Sequence, residues 1–286
     1  MRGKLRKSLV TALGVATQSM VAHAGDGATD KSGYTLFNPT PASAMRDMST
    51  DRPDKTESPY TVDAGHIQIE TDLVAYTRDR ADGFTVETTD VLPFNFKLGL
   101  TNDSDLQIVY GSYSHVRVEG PGGAKDSEDG SGDLIIRYKR NFWGNDGGRT
   151  AFAVMPFIKI PTSSFDDAND DVEGGVIVPL GIELAPGIGL GLMTEVDILR
   201  SDVDGGYQPS FVNSATVGFD LTDKLGLYTE VFVERSAESG ANTIVTLDAG
   251  LTYAVTDNLQ LDTGVNVGVT DAADDVNVFA GMSRRF

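Results

Sequence analysis

The side chains best placed to act on a solute are charges that fall on one parity of alternating segments. Lys97, Arg117, Arg137, Lys139 and Lys159 form a basic set; Glu70, Asp72, Glu195, Asp197, Glu230 and Asp248 form an acidic one, extended by Glu183, Asp220, Glu234 and Asp262. Residues two apart on a β-strand share a face. If the apolar parity is turned to lipid, both sets point into a common interior, because a charge left in hydrocarbon is costly. The expected arrangement is a lumen with one basic wall and an acidic remainder. Arg137 and Lys139 fall near mid-depth of the fourth strand and Asp248 near mid-depth of the tenth, so they should face one another. Such a field would orient solutes carrying a dipole or an aromatic ring, with a preference for cations. The same charges could instead pair across the lumen and simply hold it together; the sequence leaves both readings open.

Other chemistry is sparse. Past residue 24 the histidines are His66 and His115. Ser112, Ser114 and His115 cluster on one strand, as nucleophile and base do in membrane-embedded lipid hydrolases, but adjacent strand residues point to opposite faces, so Ser114 and His115 cannot pair directly. The expectation is therefore no catalytic residues and no enzyme. Acidic runs at 126–129, 166–173 and 271–275 lack the ordered Asp, Gly and Glu spacing of a calcium loop, so neither a metal site nor a cofactor is expected. Placed in outer loops, they would stay solvated or bridge loosely through divalent cations to lipopolysaccharide. There is no cysteine, hence no disulfide framework.

The elements that must position these charges are strands. Residues 1–24 carry Arg2, Lys4, Arg6 and Lys7, an uncharged stretch from Ser8 to Met20, then Ala22-His23-Ala24, the pattern of a cleaved export signal that would leave Gly25 first. Without those four bases the remaining 19 basic and 42 acidic residues give a formal charge of about −23, which should repel nucleic acid. Residues 25–63, rich in Pro, Ser, Thr and Asp, read as an extended periplasmic leader or a partial lumen plug.

From 64 to 286 the pattern has period two. Leu259, Leu261, Thr263, Val265, Val267 and Val269 share one face, and Gln260, Asp262, Gly264, Asn266 and Gly268 the other. About twelve strands follow, near 64–78, 85–100, 105–118, 132–143, 149–162, 173–184, 189–201, 209–221, 225–236, 243–255, 259–269 and 276–286. Each is long enough to cross a bilayer when tilted, and no segment after the signal resembles a spanning helix. Tight turns after even strands (TNDS at 101, NDGG at 145, TDK at 222, TDN at 256) alternate with longer connections, as in outer-membrane barrels. Phe286 ends an alternating apolar strand, resembling the assembly signal read by the barrel-assembly machinery, although Arg284 departs from it; Trp143 sits where an aromatic girdle belongs. The fold expected is all-β: a transmembrane antiparallel up-and-down β-barrel of about twelve strands.

The stretches TDRPDKTESPYTVDAGHIQIETD (50–72), GSGDLIIRYKRNFWGNDGG (130–148), AFAVMPFIKIPT (151–162), GLMTEVDILR (191–200) and FVNSATVGFDLTDKLGLY (211–228) resemble the outer-membrane transporter family associated with the meta-pathway of phenol degradation. The resemblance spans nearly all of the mature chain and implies a transporter-like barrel. The function expected is passive passage of small polar or aromatic molecules across the outer membrane, with membrane lipid, lipopolysaccharide and a small solute as partners. A non-conducting structural or ligand-binding barrel is the alternative, and a membrane-embedded lipid hydrolase a third.

Overall fold

In a computed structural model, which describes residues 30–166, 168–201, 203 and 205–286, alternation of apolar and polar residues builds one antiparallel sheet closed on itself. The export signal expected at 1–24 lies outside the described residues. The strands are β1 (Ile67–Ala81), β2 (Phe84–Val91), β3 (Phe94–Thr101), β4 (Ser104–Tyr110), β5 (Tyr113–Glu119), β6 (Lys125–Gly130), β7 (Leu134–Trp143), β8 (Thr150–Ile160), β9 (Glu173–Ala185), β10 (Ile188–Arg200), β11 (Tyr207–Asp220), β12 (Leu225–Ser236), β13 (Ile244–Thr256), β14 (Leu259–Gly268) and β15 (Val276–Arg285). β15 pairs with β1 from Gln68–Arg285 to Arg78–Val276 and closes the ring. β2 continues into β3, β4 into β5 and β6 into β7, so the fifteen segments make twelve staves.

The three breaks lie side by side and have local causes. Leu92, with φ of 53°, precedes Pro93, which supplies no N–H to a ladder. Next to it, the amide of Gly132 bonds the carbonyl of Gly111 at 2.8 Å, an approach that leaves little room for side chains. Above this line β2, β5 and β6 extend the wall as hairpins, the first turning through Asp82 and Gly83, both with positive φ, as a two-residue hairpin turn demands. The acidic run at 126–129, expected in an outer loop, is therefore part of β6, paired with His115–Val118 of β5. Where both faces of a hairpin meet water, no apolar alternation is needed to make a strand.

The distribution of residue types is that of a protein turned inside out. Val196, Ile198, Phe211, Val231, Leu247, Leu251 and Leu261 stand exposed on the outer face, while Gln68, Glu70, Lys97, Gln107, Lys139, Thr216, Glu230, Gln260 and Ser283 are buried inside. Such a surface suits a hydrocarbon solvent, and a closed barrel leaves no edge amide unpaired there. Phe142 and Trp143 are exposed at the short-turn end, where Trp143 stacks on Phe152 at 4.6 Å. Both ends of the barrel sequence, Ile67 and Phe286, meet at that same end through the Phe286 amide, 2.8 Å from the Ile67 carbonyl.

Candidate functional site in the barrel lumen

Residues 30–66 enter at the short-turn end and run up the lumen. The lower part is tied to the rim: Leu36 donates to Leu100, Thr35 bridges Thr101, and the chain makes one 3-10 turn at Ala42–Ala44. Asp63 gathers three cations there, Arg46 at 3.3 Å, Arg285 at 3.2 Å and Lys31 at 3.8 Å. Lys31 and Arg46 also reach Asp146 in the β7–β8 turn, at 2.8 and 3.5 Å. Burial works against ionisation of Asp146, but the hydrogen bond from Asn102 and the Lys31 ammonium hold its carboxyl below the usual carboxylate range.

Higher up, the segment Thr50–Glu57 is sorted by charge between the two walls. Asp51 pairs with Lys97 and, at 2.6 Å, with Lys139. Glu57 takes Arg137 at 2.7 Å. In the other direction Arg52 reaches Asp72 at 2.5 Å and Asp262 at 2.7 Å, and Lys55 reaches Asp248 at 3.3 Å. Thr56 donates to Glu230 at 2.5 Å, and the amide of Lys55 donates to the same carboxylate at 2.8 Å. Glu70 receives Lys97 at 2.6 Å and the Asp51 amide at 2.9 Å. The walls are thus joined mainly through the leader, with Lys97–Glu70 as a direct ion pair between the basic and acidic sets. Asp54 differs from its neighbours: it is 1% exposed and meets no cation, the wall offering it only the Thr216 hydroxyl and the like charge of Glu230.

Of the basic residues singled out from sequence, Lys97, Arg137 and Lys139 come together around the leader. Lys159 lies nearer the long-loop end, paired with Glu173 and 3.8 Å from Asp133. Arg117 does not join them. Asp90 and Ser114, which are buried, register with buried Ala75, whereas Arg117 registers with Glu87 and through it with Arg78, on the outer face. The break at 111–112 reverses the parity of the strand, so a reading that carries period two across it assigns Arg117 to the wrong side. Among the acidic residues, Glu70, Asp72, Glu230 and Asp248 contact the leader; Glu195 and Asp197 stand above it on β10. Ser114 bonds Asp90 and His115 bonds Asp129 at 2.8 Å, so serine and imidazole have separate partners.

Two parts of the lumen are not in the sequence-derived set. The first is the leader's own charges, Asp51, Arg52, Lys55 and Glu57, whose alternating signs in TDRPDKTE are a visible cue. The second is apolar: Met155, Ile177, Met193, Val212 and Phe232 are buried as one cluster, with Phe157 packed on it. They share inner-face parity with Lys159, Glu195 and Glu230, which hides them from any rule that sends apolar residues to lipid.

A closed, lipid-faced barrel with a polar lumen threaded by its own N-terminal segment is a membrane β-barrel of the outer-membrane kind. The chain belongs to the family described as "Putative MetA-pathway of phenol degradation", whose pattern matches residues 50–286. Among solved structures, an outer membrane channel from Pseudomonas putida F1 is similar with a TM-score of 0.59 at 12% identity, covering 82% of this chain and 99% of that one. The translocator domain of the autotransporter NalP from Neisseria meningitidis aligns with a TM-score of 0.48 at 12% identity, over 77% of this chain and 88% of that one. No curated protein matches the chain by sequence.

Proposed function

We propose that the protein is an outer-membrane channel or facilitator for the passive passage of small molecules, with its short turns in the periplasm and its leader acting as a lumen plug. The reading includes export with a cleaved signal, insertion by the barrel-assembly machinery, and contact with membrane lipid and lipopolysaccharide at the rim. It assigns no catalytic step.

The observation that carries it is how the leader is held. A segment meant only to fill a barrel would be packed with apolar side chains, whereas 50–57 is held by ion pairs and hydrogen bonds to wall residues. Buried pairs of this kind are specific but contribute little net stability, since each ion was well solvated before docking. A plug so held exchanges readily for water and solute. The apolar cluster beside it supports a solute with an apolar or aromatic part.

Conductance in a planar bilayer tests the reading. Asp51→Asn leaves Lys97 and Lys139 short of a counter-charge, a loss of about 3–5 kcal/mol for a buried pair. The expected outcome is a narrow wild-type conductance that rises in the variant. If folded wild-type and variant barrels are both silent, the channel reading gives way to a structural or ligand-binding barrel, which the dense leader contacts would then explain.

A further inference from the structure

Above the leader, the inner face of β9–β12 sets acids directly among apolar side chains. Glu195 is in cross-strand register with Ile177 on one side and Val212 on the other, and Val212 is in register with Glu234. One step toward the long loops, Asp197 lies between Gly175 and Ser210; one step toward the leader, Met193 lies beside Ser214, which neighbours Phe232. Ile177, Met193, Val212 and Phe232 are buried, while Glu195, Glu234 and Phe157 remain partly open to the vestibule. The leader bounds this area from below, where the Glu57 amide meets the sulfur of Met193 at 3.4 Å.

Two details show that the acids are not there to close ion pairs. The nearby cations are already committed, Arg137 to Glu57 and Lys159 to Glu173, and among the described residues Glu195, Asp197 and Glu234 have no ion pair. Asp197 is 8% exposed, yet its Oδ1 has no hydrogen-bond partner. That oxygen lies over the bare backbone of Gly175, 2.6 Å from where a Cβ would stand, with the edge of the Phe157 ring 2.8 Å from the same point. The side-chain hydrogen bond that Asp197 shares with Glu195 joins two acids and brings no cation, and the Oδ1 atom beside the aromatic ring is still left without a donor.

We propose that this part of the vestibule binds organic monocations that carry an apolar or aromatic body, primary amines in particular. The ammonium group sits between Glu195 and Asp197, with Glu234 adding negative potential, and the body lies on Phe157 and the apolar floor. Charge-assisted hydrogen bonds orient the ligand, and the apolar surface selects it over small hydrated ions. A carboxylate ligand would meet the acids with no uncommitted cation to receive it. The inference deepens the channel reading and rests on the lumen being a solute path.

The test uses the full-length folded barrel in detergent, titrated calorimetrically with 2-phenylethylammonium, with the neutral 2-phenylethanol and with ethylammonium. Saturable binding of the aromatic amine at least tenfold tighter than either control is expected. Glu195→Gln with Asp197→Asn should weaken amine binding at least tenfold and leave the alcohol unchanged. Heat-modifiable gel migration checks that the variant is folded, and Asp197→Asn alone serves if the double variant is not. Equal binding of amine and alcohol, equal binding of ethylammonium, or amine binding untouched in the folded variant would overturn the proposal. Uptake into proteoliposomes separates the two readings. Binding without uptake leaves this site standing and removes the channel; uptake indifferent to charge leaves the channel and removes the site.

Discussion

Asp54 is the charge in the buried stretch 50–57 for which the wall offers no counter-charge, only the Thr216 hydroxyl. Its neighbours Asp51, Arg52, Lys55 and Glu57 each meet an opposite charge, while Asp54 faces the like charge of Glu230. A buried carboxylate without a counter-charge is costly even beside one hydroxyl, so Asp54 weakens the docked state that its neighbours build. Asp54→Asn should hold the leader more firmly. The measurement is the rate at which added protease cuts the leader in the folded protein, and cleavage at least a few-fold slower is expected; unchanged or faster cleavage would mean that the Thr216 hydroxyl is enough to hold Asp54 when docked. The contrast with Asp51→Asn is the useful part, since two carboxylates three positions apart in one segment are expected to act in opposite directions.

At the scale of strands, the leader changes what substitutions in the walls should do. Lys139→Glu with Arg137→Glu sets new carboxylates against Asp51 and Glu57, and Asp248→Lys sets an ammonium against Lys55. Both should loosen the leader and raise conductance, but reversal potentials in a salt gradient should shift oppositely, toward cations in the first and toward anions in the second. If neither shifts, ions pass by a route these residues do not line. Most of the strand order was legible in the sequence because period two is imposed directly by a wall with lipid on one side and water or leader on the other. The pattern fails where that contrast fails. In 125–130 both faces are polar, so Lys125–Gly130 lacks the signature of a strand, and at Pro93 and Gly111 the backbone breaks step, so Arg117 changes face. The inner apolar cluster was hidden for a related reason: Met155 and Ile177 obey parity but not the assumption that apolar means outward. The charges of Lys97, Lys139 and Asp248 were readable, but their partners were not, because a segment without periodicity gives no register from which to place Asp51 or Lys55.

For the whole molecule, the closing strand completes the leader's seat and, on the function proposed above, should also serve assembly. Phe286 is exposed on the outer face beside Arg284, whose guanidinium lies 4.8 Å over its ring, so its side chain is open to recognition from outside the barrel. Deleting Phe286 should slow insertion into membranes by the assembly machinery, measured as the appearance of the heat-modifiable folded band; insertion at the wild-type rate would deny the terminal aromatic that role. The same residue also belongs to the leader's seat. The His66 ring nitrogens lie 2.9 Å from the Phe286 carbonyl oxygen and 2.8 Å from that of Thr40, and Arg285 grips both Asp63 and the Arg46 carbonyl. Half of that seat is made by Arg285 and Phe286, and it comes into being when β15 pairs with β1. Ring closure and the seating of the lower leader are thereby coupled: any opening of the β15–β1 seam also takes away the grip of Arg285 and Phe286 on the segment inside.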